Sequence, residues 1–179
     1  MNQTRKLTLA GILVSVMLAL GYLESLLPVS GVPGIKLGLS NCVLVLSLYW
    51  LGTGVSFEMM VVKNVLLGLM LANPMMIVYS LAGGTLSLTV MSLLVGRKGV
   101  SPIGVGIAGG VTHNIGQVAA AMLILQTPTL MYYLALLMPV GAGMGLITGT
   151  LAKLLMRHVP PLKRFQSTEE DRNTGGESS

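Results

Sequence analysis

Two clusters of hydrophilic side chains interrupt otherwise apolar stretches of this sequence, and their chemistry suits recognition of a polar solute rather than bond breaking. Lys63 and Asn64 lie within "EMMVVKNVLLG", and His113, Asn114 and Gln117 lie within "VTHNIGQ". Helical spacing puts His113 and Gln117 one turn apart on a single face, with Gly109 a turn earlier and Asn114 on the flank. An ammonium, an imidazole and three amides can donate and accept hydrogen bonds in several directions. Each residue also has a plain structural reading. Lys63 could snorkel to an interface or pair with Glu58, the nearest carboxylate, and the amides and imidazole could simply lock helices together. Glu58 itself suits the dipole at the start of a helix. A metal site is not expected: His113 has no second ligand at helical spacing, since His158 lies beyond the apolar runs and Cys42 is the single cysteine. Nor is a cofactor expected, and no GxxxxGK[ST] phosphate loop occurs.

The elements that must position these groups are membrane helices. Of 179 residues, 53% are apolar and 9% charged, where a soluble domain carries roughly 25% charge. A span needs about 20 apolar residues to cross a hydrocarbon core of ~30 Å. Charges, prolines and glycine pairs divide the chain into runs at about 7–27, 38–53, 55–72, 75–95, 103–125 and 130–156. The reading is therefore an all-α integral membrane protein, a bundle of six transmembrane helices with membrane lipid as its solvent. The 23 Gly and 13 Met fit it, because small residues let membrane helices approach and thioethers fill irregular gaps. "PVSGVPGIK" (Pro28 to Lys36) is a breaker-rich first loop, whereas "GTG" at 52–54 and "ANP" at 72–74 make tight turns. "GRKGVSP" at 96–102 and "QTP" at 126–128 separate the later runs. From 158 onward a polar tail is read as disordered.

The net charge of +5 does not signal nucleic acid, because the basic residues fall between apolar runs and do not interleave with aromatics. They set topology instead. With six spans, Arg5, Lys6, Arg97, Lys98, Lys153, Arg157, Lys163 and Arg164 share one side, and the other receives only Lys36. Lys- and Arg-rich short loops stay in the cytoplasm, so both termini are expected there. Tyr22, Tyr79, Tyr132 and Tyr133 then mark the outer interface, and Tyr49 with Trp50 the inner one. A charge inside a span costs roughly 2.5–3.5 kcal/mol and faces a cavity or partner. Lys36, Asn41, Lys63, Asn64, His113, Asn114 and Gln117 are accordingly expected to line a solute site in the outer half, with the first loop as its cover. Lys36, Lys63 and a protonated His113, set against Glu24, favour an anionic or zwitterionic ligand. Gly11, Ser15 and Ala19 on the first helix, and Gly141, Gly145 and Gly149 on the sixth, form small-xxx-small stripes. Internal packing is favoured for the sixth helix; for the first, an external partner is an equal reading.

At "PGIKLGLSN" (Pro33 to Asn41), "SLAGGTLSL" (Ser80 to Leu88) and "VTHNIGQ" (Val111 to Gln117), the sequence resembles the Gx transporter family, also called heptaprenyl diphosphate synthase component I. The likeness covers about residues 5–157. That family is similar in size and helix count to the substrate-binding S components of energy-coupling factor transporters. The resemblance implies a six-helix fold, an outward-facing site for a small solute, a transmembrane coupling protein and two cytoplasmic ATPases as partners. It also implies that Gly11, Ser15 and Ala19, which match by spacing, meet the coupling protein. Placement in the cell membrane of a bacterium follows from it. The synthase name meets a chemical objection: prenyl diphosphate synthases hold Mg²⁺-diphosphate through aspartate-rich motifs. Here the lone aspartate is Asp171 in the tail, and the apolar region has only Glu24 and Glu58. The expectation is a non-enzyme, with a noncatalytic membrane subunit of heptaprenyl diphosphate synthase as the alternative.

Overall fold

The structure is a computed structural model and describes residues 3–26 and 38–158. Among them there are six helices and no strand: α1 Gln3–Leu26, α2 Leu39–Trp50, α3 Thr53–Met70, α4 Pro74–Leu94, α5 Pro102–Leu125 and α6 Leu130–His158. The breaker-rich loop containing Lys36, and the tail beyond His158, lie outside the described residues.

Local chemistry explains where these helices start and stop. Gly38 and Gly52, at φ 73° and 86°, flank α2 in backbone conformations that only glycine adopts readily. Asn73 caps α4 by accepting the Met76 N–H at 3.0 Å, and Pro74 follows at the first helical position, where its missing N–H costs nothing. Ser101 and Pro102 repeat the device at α5, the serine hydroxyl accepting from Gly104 N at 3.3 Å. The "ANP" and "GRKGVSP" turns thus sit where the sequence puts them.

Five of the six helices are long and apolar enough to cross a membrane. Their outward faces carry Leu7, Leu69, Leu93, Leu123 and Tyr132, all more than half exposed. So broad an apolar exterior would aggregate in water and is stable in lipid. The chain is a multi-pass membrane protein. The second run departs from expectation. Its helix has 12 residues, about 18 Å at 1.5 Å per residue, well short of the ~30 Å core. Gly38 and Gly52 stop it at either end, and the residues read as its last turn form the link to α3. It is also the most enclosed helix, with eight of its 12 residues buried.

Successive helices run antiparallel, and their close contacts depend on glycine. On α5 and α6, Gly106 and Gly110 face Gly141, Gly145 and Gly149. A Cβ on Gly106 would lie 2.7 Å from the Gly149 Cα, and one on Gly149 would lie 2.8 Å from the Ile103 Cα. The stripe on α6 is therefore internal packing, as favoured from its sequence. Gly116 on α5 meets the Gly83 Cα of α4 at 2.8 Å in the same sense. Helix α4 packs between α3 and α5, α1 leans on α2 and α3, and α2 also touches α6. The core joins all six helices, around Leu13, Met17, Val45, Leu48, Met60, Leu88, Val105 and Ala152.

Candidate functional site

The polar residues singled out from sequence do not face the acyl chains. Asn41, Lys63, Asn64, His113, Asn114 and Gln117 all line one central cavity, to which every helix contributes. Lys36 lies outside the described residues, so its expected place in the site is left open.

Helix α3 delivers Lys63 and Asn64 inward, where they are 6% and 5% exposed. Lys63 turns to the first turn of α2: its Nζ donates to Asn41 Oδ1 at 3.2 Å and to Ser40 Oγ at 3.4 Å. It does not reach for an interface, and Glu58 is exposed. Ser40 in turn donates its backbone N–H to Glu24 Oε1 of α1 at 3.2 Å, and Glu24 is 6% exposed. A carboxylate and an ammonium are thereby held on either side of one serine, at the mouth of a helix whose N-cap, Gly38, offers no side chain. The positive end of the α2 dipole favours the carboxylate beside it.

Asn64 donates to the Ser80 carbonyl at 3.1 Å and to the Met60 sulfur at 3.2 Å. That contact is possible because Gly84 of α4 faces Met60 and Asn64, while its neighbour Gly83 faces His113 and Gln117 of α5. A Cβ at Gly83 would lie 2.6 Å from the His113 carbonyl and 2.7 Å from Gln117 Cγ. The glycine pair in "SLAGGTLSL" is thus what lets α4 fit between two polar helix faces. Asn114 donates to the Leu137 carbonyl of α6 at 2.7 Å. Pro139 stands two residues on and lacks the N–H that would bond the Ala135 carbonyl, so the amide meets α6 within the turn that the proline interrupts. Ser87 ties α4 to the Gly109 carbonyl at 2.8 Å.

Sequence reasoning missed several lining residues. Ser40, Ser80, Ser87 and Thr148 supply hydroxyls, and Met60, Met76, Met91 and Met144 supply thioethers. None is unusual in an apolar run, so nothing in the sequence sets them apart. Glu24 entered only as a counter-charge, yet it lines the cavity. The cavity volume is about 100 Å³, several times the roughly 10–15 Å³ needed to hold one water. Among the described residues, no buried side-chain nitrogen or oxygen lacks a hydrogen bond and no cluster of three or more metal-ligating His, Cys, Asp or Glu occurs. The Gly11, Ser15 and Ala19 stripe points away from all this, exposed on the outside of α1, with open space where a Gly11 side chain would go.

No curated protein and no solved structure matches the chain significantly. The profile of one protein family, described as heptaprenyl diphosphate synthase component I, matches residues 13–155, from within α1 to the last turns of α6. On a match of that extent, this multi-pass membrane chain belongs to the heptaprenyl diphosphate synthase component I family.

Proposed function

We propose that this chain is the membrane-embedded substrate-binding component of a small-solute uptake transporter, akin to an energy-coupling factor S component, in the bacterial cell membrane. The observation that carries the reading is a polar cavity inside an apolar bundle, lined from all six helices and including a buried lysine and a buried glutamate. Burying charge in lipid is costly, and a protein with no use for the space would fill it with hydrocarbon. The residues assigned to solute contact are Asn41, Lys63, Asn64, His113, Asn114 and Gln117, together with Lys36 from its place in the sequence. Both termini face the cytoplasm, as the basic residues Arg5, Lys6, Arg97, Lys98, Lys153 and Arg157 favour. With no phosphate loop of its own, the chain depends on partner ATPases through a coupling protein. The small, exposed stripe of Gly11, Ser15 and Ala19 suits a helix–helix contact with that protein.

A second reading follows from the family description: a noncatalytic membrane subunit of heptaprenyl diphosphate synthase. The cavity's size speaks against its holding the product. A dry cavity of about 150 Å³ accommodates benzene, so the roughly 100 Å³ here would take a solute of no more than about six non-hydrogen atoms, far below a seven-isoprene chain. The aspartate-poor membrane region is likewise unsuited to prenyl transfer. Purification in lipid nanodiscs tests both readings. The first expects a small molecule retained by the wild type and lost from a Lys63→Ala, His113→Ala double variant, with ATPases and a coupling protein co-purifying. Retention unchanged in the double variant removes the site assignment. Co-purification with a soluble prenyltransferase subunit in place of ATPases would favour the second reading.

A further inference from the structure

We infer that the cavity selects a small zwitterion, carrying an ammonium and a carboxylate on a skeleton of no more than about six non-hydrogen atoms. The inference rests on the solute-binding reading above and names the class of solute. Its basis is the arrangement Glu24–Ser40–Lys63. Both charged groups line the cavity, both are 6% exposed, and Ser40 connects them through its N–H to Glu24 and its hydroxyl to Lys63. With a neutral His113, they are the only charged side chains among its described lining residues, and their charges cancel.

In a low-dielectric site, a ligand must replace every interaction that it disturbs. A monoanion at Lys63 would draw that ammonium from its partners and leave Glu24 in a site of net negative charge. A monocation at Glu24 would leave the opposite imbalance. An uncharged polyol entering between the two groups would weaken their mutual attraction and return only dipoles. A zwitterion avoids all three costs: its ammonium meets Glu24, its carboxylate meets Lys63 and Ser40, and the site stays neutral. Asn41, which accepts from Lys63 at 3.2 Å through its amide oxygen, also carries N–H donors of the kind a carboxylate accepts from. The thioethers of Met60 and Met144 line the wall as adaptable apolar surface, suited to a short aliphatic portion.

Four probes of nearly equal size separate the possibilities: alanine, lactate, 1-amino-2-propanol and glycerol. Binding to the full chain in nanodiscs is read by equilibrium dialysis of radiolabelled probe, and any retained molecule is identified by native mass spectrometry. Alanine is expected to bind at least about tenfold more tightly than the other three, a difference of ~1.4 kcal/mol. Two variants add a readout that a purely structural charge pair would not give. Lys63→Met should lose alanine and prefer 1-amino-2-propanol, whereas Glu24→Gln should lose alanine and prefer lactate. Lactate or glycerol binding the wild type as tightly as alanine overturns the zwitterion class and leaves solute binding intact. If no probe binds but a retained molecule is found, its own charge decides: a zwitterion supports the inference and any other solute refutes it. Neither binding nor retention would defeat the inference together with the transporter reading.

Discussion

Adding one methyl group at Gly145 tests whether the α5–α6 contact is as close as described. A Cβ there would lie 2.7 Å from the Ile107 Cα and 2.9 Å from the Gly106 carbonyl carbon, with the Gly106 oxygen nearer still. All three are backbone atoms, so no side chain can swing aside, and the helices must part. Overpacking of this kind costs about 1–3 kcal/mol, and the upper part of that range applies when nothing can yield. Gly143, two residues away on the same helix, is the control: a Cβ there meets nothing within 4 Å. Gly→Ala in a helix favours folding by at most about 1 kcal/mol, and both variants share that gain. Gly145→Ala should therefore be less stable than Gly143→Ala by about 2 kcal/mol, roughly a thirtyfold change in the unfolding equilibrium. Reversible titration from mixed micelles into SDS, followed by the fluorescence of the single tryptophan, Trp50, measures the gap. Equal stability of the two variants would refute the close packing, and with it the geometry that brings Asn114 to α6.

Other expectations follow from the same contacts. Asn114→Ala removes the bond to the Leu137 carbonyl and should cost about 0.6–1.7 kcal/mol in the same titration; no change would mean that the amide serves only solute. Gly84→Ala places a Cβ 2.7 Å from the Met60 sulfur and 3.2 Å from Asn64 Nδ2. Because the thioether can move into the cavity, stability should fall by less than about 1 kcal/mol while solute binding weakens, and undiminished binding would disconnect this wall from the site. In a Cys42→Ser background, Lys36→Cys should react with an impermeant maleimide from outside intact cells and Arg97→Cys only after permeabilisation. The reverse pattern would invert the proposed orientation.

Much of this arrangement was legible in the sequence because lipid enforces simple rules. Apolar length, proline at helix starts and glycine at turns located α3 to α6 to within a few residues. Lys63, Asn64, His113, Asn114 and Gln117 stood out because hydrophilic groups within apolar runs require an interior destination. What could not be read was relative position across helices. The pairing of Lys63 with the first turn of α2, instead of with Glu58 on its own helix, depends on how two helices meet. The same holds for Glu24, which the sequence offered only as a counter-charge and whose bond to Ser40 makes it part of the cavity wall. Length was misjudged for α2, because continuous hydrophobicity does not distinguish a helix that faces lipid from one surrounded by protein. The serines and methionines of the cavity gave no signal, since hydroxyls that bond to the preceding turn and flexible thioethers are equally at home in an ordinary membrane helix.

The shortness and enclosure of α2 bear on how the molecule is made. A 12-residue segment is too brief for the insertion machinery to release into the bilayer by itself, where about 20 residues are needed. Its polar ends would be stranded in hydrocarbon, so it must be handed over while still in the company of α1 and α3. Biogenesis then has an obligatory order: α2 finds its place only once the third segment has emerged from the ribosome. A truncation ending before α3 should leave α2 on the wrong side of the bilayer or extracted by quality-control proteases, and glycosylation mapping of nascent chains would reveal which.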